Sequence, residues 1–311
     1  MSTQVKSIGI DMGNSTIGVT GLIGKDVKHT FIQSIYTTDT ALTSGDVIEY
    51  QGVKIALGVG QSTLTNVDKT NREYIEHQIL WSVKSIYGTG KHYIKLGIGL
   101  PISIYKAKKE DYMKQLNEIK CITGTINGQQ ITINLVGVSV YAEGHAAIKP
   151  LAKFIDKDNT TLIIDIGMKT TDVLLVEYIN GKFSINKFAT INIALYDIYN
   201  VLKSGINAEG IDITIDDIDR RFKSKKPIIR TEKGEYDLEK HLPDAKGVCM
   251  ELIKNIENIF GKTVLHDKLF IGGGASKFIK AINTKIKNNI EVKEDLRYYA
   301  NSLGYFLNVS K

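Results

Sequence analysis

Two short segments of the sequence share one design, and this duplication constrains the fold more than any other feature. Residues 7–23 read SIGIDMGNSTIGVTGLI, and residues 162–177 read LIIDIGMKTTDVLLVE. Each pattern predicts an apolar strand that ends in an aspartate, a tight turn at a glycine, and a second apolar strand. The two aspartates, Asp11 and Asp165, are 154 positions apart in a chain of 311 residues. A repeat at about half the chain length predicts two related halves.

The residues of the two turns have the chemistry of a phosphate site. They are small, hydroxylic, amide or cationic: Gly13, Asn14, Ser15 and Thr16 in the first turn, and Gly167, Lys169, Thr170 and Thr171 in the second. Backbone N–H groups and hydroxyls of such turns can face phosphate oxygens, and a carboxylate at a strand end can hold Mg²⁺ through water. One copy alone would be better explained as an ordinary hairpin with a solvated aspartate, but the second copy favours the phosphate site.

A third element is rich in glycine. Residues 268–282, KLFIGGGASKFIKAI, predict a short strand, then Gly272, Gly273 and Gly274, and then a helix. Glycines let the backbone approach a ligand closely, and the start of a helix favours negative charge. This element therefore fits the same phosphate-bearing ligand.

An acid follows the strand predicted at residues 136–141. Glu143 lies at the end of this strand, in a chain with two aspartate loops, where hydrolytic chemistry can be arranged. The alternative interpretation is an acid that favours the dipole of a helix predicted over residues 146–155.

In this order, the elements resemble a known superfamily. The paired Asp-x-Gly loops, VYAEGHAA at 140–147, the triple glycine and YANSLGYF at 299–306 are similar to segments of the actin, sugar-kinase and heat-shock-chaperone ATPases. Within that superfamily, the chain resembles the bacterial actin-like ATPases of the ParM type, which segregate plasmids. The resemblance implies an α/β fold of the actin type, which is a duplicated ribonuclease H-like fold with the nucleotide in a central cleft.

The resemblance also implies the domain organisation. Two domains are expected at residues 1–155 and 156–295, each with a large and a small subdomain. The small subdomains are expected at residues 35–92 and 205–260, where the sequence departs from the repeated pattern. The C-terminal helix, 296–311, is expected to return to the first domain.

The roles of the residues follow from the same resemblance. ATP or GTP is the expected nucleotide, with Asp11 and Asp165 holding Mg²⁺ through water and the turns binding phosphate oxygens. Glu143 would orient the attacking water, and the triple glycine would approach the α-phosphate and the adenosine. The chain departs from the family at Gly18, where actin-like proteins commonly have a lysine. Lys169 is expected to supply this charge, although a solvent-facing turn lysine explains it equally well.

The expected function is a filament-forming ATPase that moves plasmid DNA through an adaptor protein bound to a centromere-like site. The alternatives are a small-molecule kinase of the same superfamily and an actin-like scaffold that does not hydrolyse nucleotide. The net charge of +6 is carried by scattered lysines, so direct nucleic-acid binding is not expected. Two distant cysteines, a start without an apolar signal core and the lack of a membrane-spanning stretch predict a cytoplasmic protein without a membrane partner.

Overall fold

The computed structural model describes residues 4–41, 43–60, 62–63, 69–232, 234–282 and 286–310. The chain divides into two compact units. Unit 1 comprises Met1–Lys153 and Tyr298–Lys311, and unit 2 comprises Phe154–Arg297. Each unit has its own core of buried aliphatic and aromatic side chains on a β-sheet.

Unit 1 is built on one mixed sheet. Its described strands are β1 (Val5–Met12), β2 (Thr16–Ile23), β3 (Asp26–Gln33), β4 (Ile35–Thr37), β5 (Asp46–Tyr50), β6 (Val53–Leu57), β7 (Ser62–Thr63), β8 (Gly90–Leu100), β9 (Cys121–Ile126) and β10 (Gln129–Ala142). Their order is β3-β2-β1-β8-β10-β9-β5-β6-β4-β7. β8 is parallel to both β1 and β10, and the other pairs are antiparallel.

Unit 2 contains a smaller sheet and a separate hairpin. Its described strands are β11 (Thr161–Ile166), β12 (Thr171–Ile179), β13 (Lys182–Ile191), β14 (Ile228–Thr231), β15 (Gly234–Asp237) and β16 (Asp267–Ile271). The sheet order is β13-β12-β11-β16, and β14 pairs with β15 alone. β11 is parallel to β16 and antiparallel to β12.

The helices cover the sheets and carry part of the candidate site. The described α-helices are α1 (Ile75–Tyr87), α2 (Ile102–Glu118), α3 (Ile148–Leu151), α4 (Leu195–Ala208), α5 (Ile215–Lys223), α6 (Lys246–Phe260), α7 (Ala275–Ile282) and α8 (Glu294–Val309). Short 3₁₀ segments lie at Ala152–Phe154, Leu238–Ala245 and Thr263–Leu265. Among the described residues, no helix has the length and apolar character that crossing a bilayer requires.

The two units repeat one strand arrangement. In unit 1, β1 is flanked by antiparallel β2, which continues to β3, and by parallel β8. In unit 2, β11 is flanked in the same way by β12, β13 and β16. Asp11 and Asp165 therefore occupy equivalent places near the ends of the two central strands. The structural repeat follows the repeat in the sequence.

Glycines let α8 pack directly on the backbone of unit 1. A Cβ atom on Gly9 in β1 would lie 2.5 Å from the Phe306 backbone nitrogen, and still nearer to the Ser302 carbonyl oxygen. A Cβ atom on Gly304 in α8 would lie 2.5 Å from the carbonyl carbon of Ala146. Real Cβ atoms essentially never approach other atoms below 3.0 Å, so both positions require glycine at this helix distance. The contacts bring Asn301 of α8 towards the end of β1.

Three two-residue turns between strands end in glycine, a sequence pattern that predicts β-hairpins. Gln51-Gly52, Asn127-Gly128 and Asn180-Gly181 connect antiparallel strands, and both residues of each pair have a positive φ. This is the backbone of a type I′ turn, whose twist matches that of the flanking strands.

Some predicted helices have different limits. The helix predicted over residues 146–155 is only α3 and one 3₁₀ segment, because Pro150 lacks an N–H and Gly304 packs on Ala146. The apolar spacing of residues 106–121 also predicts a helix, but α2 begins at Ile102, directly after Pro101, and ends before β9. The pattern of residues 191–203 predicts a helix as well, but α4 begins only at Leu195, because β13 continues to Ile191.

Candidate functional site

Arg72 holds the backbone of the first turn from one side. It precedes α1 and is only 7% exposed. Its Nη1 donates to the Met12 carbonyl at 2.7 Å, and its Nη2 donates to the Gly13 carbonyl at 3.1 Å. The Ser34 hydroxyl donates to the same Gly13 oxygen at 2.7 Å. Burial lowers the pKa of Arg72 to about 10, so the guanidinium is still a cation at neutral pH.

These bonds decide where the turn presents its N–H groups. In a planar trans peptide, the N–H points away from the C=O of the preceding residue. Since the carbonyls of Met12 and Gly13 face Arg72, the N–H groups of Gly13 and Asn14 point away from it. Successive N–H groups with this orientation form a concavity that binds anions. The first turn therefore directs two successive N–H groups away from Arg72.

The side chain of Asn14 has an unused acceptor in this turn. Its Oδ1 is buried, and no hydrogen-bond donor among the described residues reaches it. A buried polar atom without a partner costs free energy unless water or a ligand satisfies it. The atom therefore indicates a polar guest beside the turn.

Glu143 lies one residue beyond β10 and forms a largely buried ion pair. Its backbone N–H donates to the Leu100 carbonyl at 2.8 Å, which fixes the residue at the end of β8. Its Oε1 accepts a hydrogen bond from Lys69 Nζ at 2.6 Å. The side chains of Lys69 and Glu143 are only 14% and 12% exposed. The sequence analysis missed Lys69, which is 74 positions away from its partner.

Asn301 joins the end of β1 to the backbone after Glu143. Its Oδ1 accepts a hydrogen bond from the Gly144 N–H at 2.9 Å, and its side chain also hydrogen-bonds to the Asp11 carboxylate. The sequence analysis gave Asn301 only as part of the segment 299–306 and assigned it no role in the site. Unit 1 thus brings Asp11, Glu143 and the first turn together.

Asp11 lies among charges of both signs. Burial, and then the Glu143 carboxylate, raise the pKa of Asp11 to about 6, although Lys69, Arg72 and the Asn301 hydrogen bond oppose the rise. For Lys69, burial lowers the pKa, but the attraction of Glu143 and Asp11 is larger and the net pKa is raised. The neighbourhood therefore contains two carboxyl groups and two cations close to the first turn.

The second turn has its carbonyls bound in a similar way. Gly167 N–H donates to the Thr170 carbonyl at 3.0 Å. The carbonyls of Gly167 and Met168 accept hydrogen bonds from the first N–H groups of α4, at 3.2 and 2.9 Å. By the same peptide geometry, the N–H groups of Met168 and Lys169 point away from α4. A helix N-terminus thus does for the second turn what Arg72 does for the first.

Two side chains of the second turn differ in their surroundings. Thr171 is fully buried, and its hydroxyl donates to the Ile193 carbonyl at 2.7 Å, so it supports the turn from inside. Lys169 is exposed at the tip of the turn.

The triple glycine lies directly beside the second aspartate. Gly272 has a φ of 83°, and a Cβ atom there would lie 2.6 Å from the Ile166 carbonyl and still nearer to Asp165 Oδ1. Gly274 N–H donates to the same Ile166 carbonyl at 2.9 Å. The structure therefore brings Asp165, Gly272 and Gly274 together, and only glycine fits at position 272.

A buried charge cluster between α5 and α7 escaped the sequence analysis. Lys223 Nζ lies 2.6 Å from Asp219 Oδ2, and Lys277 Nζ donates to the Gly273 carbonyl at 3.3 Å. All three charged side chains are buried. Burial lowers the pKa of both lysines, and Asp219 opposes the effect. The spacing of Asp219 and Lys223 on one helix face was a possible signal, but Lys277 gave none.

No group of three or more His, Cys, Asp or Glu side chains in the described part of the chain forms a cage for a metal ion.

Solved structures of low sequence identity share this fold. Ta0583, an archaeal actin homologue in complex with ADP, is 18% identical with a TM-score of 0.78, and the match covers 98% of this chain and 99% of that one. A 15-stranded ParM filament from Clostridium botulinum is 16% identical with a TM-score of 0.76, and 99% of each chain is covered. Bacillus thuringiensis ParM with ATP is 12% identical with a TM-score of 0.70, and 98% of each chain is covered. The chain therefore has the actin-like fold, and the predicted fold class is confirmed.

Family models agree with this assignment. The model "Actin like proteins N terminal domain" matches residues 9–145, and the model "Archaeal actin homologue MreB-like, C-terminal" matches residues 163–284. No curated protein sequence matches the chain. Each half of the chain thus resembles a domain of actin-like proteins, and the predicted resemblance to the ParM type is confirmed.

Proposed function

We propose that this protein binds ATP or GTP with Mg²⁺, hydrolyses the nucleotide, and assembles into filaments whose stability depends on the nucleotide. The observation that carries the proposal is the arrangement in unit 1. There, a turn with outward N–H groups lies beside a buried Glu143 and a partly buried Asp11. Phosphate binding, metal binding and water activation need these three kinds of group.

The residues present fit a Mg²⁺–nucleotide. Asn14 Oδ1 is a buried acceptor that lacks a donor among the described residues, and a water molecule held near the metal ion would satisfy it. Asp11 and Glu143 are carboxylates that repel each other, and a nearby divalent cation would relieve that repulsion. When bound, Mg²⁺ neutralises charge on the phosphates and on the leaving group.

Each residue of the site has one proposed task. Asp11 and Asp165 hold the metal through water, and the N–H groups of the two turns bind phosphate oxygens. Glu143 accepts a hydrogen bond from the attacking water and orients it. Lys169, exposed at the second turn, contributes a positive charge to phosphate binding.

The proposal of filament assembly is supported by the fold and by the relatives. The Clostridium botulinum ParM of the same fold forms a 15-stranded filament. If the triphosphate and diphosphate states differ in affinity for the next subunit, hydrolysis changes filament stability. We further propose that the filaments act in the cytoplasm and move plasmid DNA through an adaptor that binds a centromere-like site.

Pelleting with parallel phosphate release tests the proposal. Purified protein is incubated with Mg²⁺ and ATP, GTP, ADP or no nucleotide, and both sedimentation and released phosphate are measured. We expect sedimentation only with a triphosphate, and phosphate release that follows assembly. Phosphate release without assembly over a wide concentration range would contradict the filament proposal and favour a kinase.

Variants assign the roles. Glu143→Ala is expected to lower turnover by about 10²- to 10⁴-fold while nucleotide still binds. Asp165→Ala should weaken both binding and turnover, and Lys169→Ala should weaken binding. Glu110→Ala is the matched control, because this glutamate side chain on α2 is 74% exposed. Phosphate release at the wild-type rate in Glu143→Ala would refute the role of Glu143.

A further inference from the structure

Lys69 is the candidate for a role that the proposed function leaves open. Its ammonium has three protons, and the one hydrogen bond recorded for it among the described residues goes to Glu143. The other charged groups that act on the Lys69 ammonium are Asp11 and Arg72. The ammonium therefore lies beside both of the acids that unit 1 contributes to the site.

The neighbouring cation cannot take over this role. Arg72 uses Nε for Gln78 Oε1 at 2.6 Å, and uses its two Nη atoms for the carbonyls of Met12 and Gly13. These bonds hold Arg72 to the body of unit 1. Lys69, on a flexible four-carbon stem, is the cation near Asp11 that can change partners.

The strand partner of Asp11 also leaves room for a cation from elsewhere. Gly18 lies opposite Asp11 in the β1–β2 ladder. A Cβ atom at Gly18 would have only Asp11 Cβ and Ser302 Oγ near it, both at 3.9 Å. Position 18 therefore contributes no side chain to the surroundings of Asp11, and the cations that act on this carboxylate among the described residues are Lys69 and Arg72.

A buried ion pair contributes little net stability, since the loss of hydration offsets the attraction. The Lys69–Glu143 pair lies beside a turn that presents N–H groups to an anion, so a second anion placed there would compete with Glu143 for the ammonium. A terminal phosphate carries more negative charge than a carboxylate and has three acceptor oxygens. It is thus the stronger partner.

We propose that Lys69 distinguishes the triphosphate from the diphosphate: without a terminal phosphate it holds Glu143 in the ion pair, and a terminal phosphate draws it away. Glu143 released from the ammonium is a better acceptor for the proton of a water molecule. Glu143 is therefore able to accept this proton only when the phosphate that is to be attacked is present. Lys69 is a ligand of the phosphate in one state and a positioning residue for Glu143 in the other. This inference rests on the proposed nucleotide binding.

Calorimetric titration with Mg²⁺–AMPPNP and with Mg²⁺–ADP tests the proposal without turnover. Lys69→Met removes the charge and keeps an unbranched side chain of similar length. We expect its preference for AMPPNP over ADP to fall by about 10- to 100-fold relative to the wild type, which is the range for a hydrogen bond to a charged group. Lys84→Met is the matched control, since Lys84 is paired with Asp46 at 3.1 Å elsewhere in unit 1. It should leave the preference unchanged.

A thermal double-mutant cycle on the protein without nucleotide tests the ion pair separately. Lys69→Met and Glu143→Gln should each shift Tm, and the double variant should shift it by less than the sum. Additive shifts would overturn the pairing, and an unchanged AMPPNP preference in Lys69→Met would overturn the sensing role while nucleotide binding stands. If the wild-type protein binds neither AMPPNP nor ADP, the titrations are repeated with GMPPNP and GDP, and if these do not bind either, the proposed function itself fails.

Discussion

Replacement of Gly9 by alanine should separate α8 from β1. The new Cβ atom would lie 2.5 Å from the Phe306 nitrogen and nearer still to the Ser302 carbonyl, and both are backbone atoms that no rotamer change can remove. A tolerable distance is 3.0–3.4 Å, so helix and strand must move apart by about 1 Å to relieve the nearer contact, the one with the Ser302 carbonyl. Overpacking of this kind costs about 1–3 kcal/mol. We expect a Tm lower by about 2–10 °C. We also expect weaker nucleotide binding, because Asn301 moves with α8.

Gly137→Ala is the matched control for this experiment. Gly137 also lies in a strand of unit 1, but a Cβ atom there would meet no atom within 4 Å, and its φ is not positive. Its Tm should be unchanged or slightly higher, since alanine loses less conformational entropy than glycine on folding. Scanning calorimetry of the two variants decides the question. If Gly9→Ala and Gly137→Ala have the same Tm, the close approach of α8 to β1 does not exist.

Two further substitutions address the support of the first turn and the pH dependence of unit 1. Arg72→Met should lower the free energy of unfolding by about 2–4 kcal/mol, because it removes the guanidinium donors of the Met12 carbonyl and Gln78 Oε1 and one of the two donors of the Gly13 carbonyl, and urea titration beside the exposed-site control Arg220→Met would show whether it does. Burial lowers the pKa of His92 below 6.5, although its hydrogen bond to a backbone carbonyl opposes this, and the ammonium of Lys6 at 3.3 Å from Nδ1 lowers it further. For His92 alone, the unfolded chain binds more protons than the folded one below about pH 6.5, so its contribution to stability should fall as the pH is lowered from 7.5 to 5.5. Asp11, whose pKa is raised to about 6, contributes the opposite trend. The free energy of unfolding of the wild type minus that of His92→Gln should therefore fall over this range, and an unchanged difference would contradict the assignment.

The sequence predicted those parts of the fold that depend on local patterns. The strand–turn–strand units around Asp11 and Asp165, the type I′ turns and the amphipathic helix α6 each have a signal within a short window. The internal repeat also predicted two related halves, and the two units do share one strand arrangement around β1 and β11.

Residues that act through distant contacts could not be found in this way. Lys69 belongs to no periodic pattern, and its partner Glu143 is 74 positions away. The apolar spacing of residues 72–87 predicts a helix that begins at Arg72. In the structure, Arg72 precedes α1, and its guanidinium binds the backbone at the end of β1. The only signal for Asn301 was the resemblance of residues 299–306 to a segment of the actin-like family. A single sequence does not reveal which polar side chain reaches a buried acceptor in another element.

The helix limits failed for a related reason. The pattern at residues 146–155 is apolar enough for a helix, but Gly304 of α8 packs on Ala146 and Pro150 interrupts the ladder of hydrogen bonds. Tertiary packing outweighed local propensity there.

The orientation of the two turns has a consequence for how such proteins diverge. If backbone N–H groups bind the anion, most side-chain substitutions within a turn leave these N–H groups in place. Proline is the one residue that removes an N–H. A lineage can then exchange Asn14, Ser15 or Met168 and keep the same receptor surface. The folds of this chain and Bacillus thuringiensis ParM agree with a TM-score of 0.70 at 12% identity, as expected where the path of the backbone varies less than the amino-acid sequence.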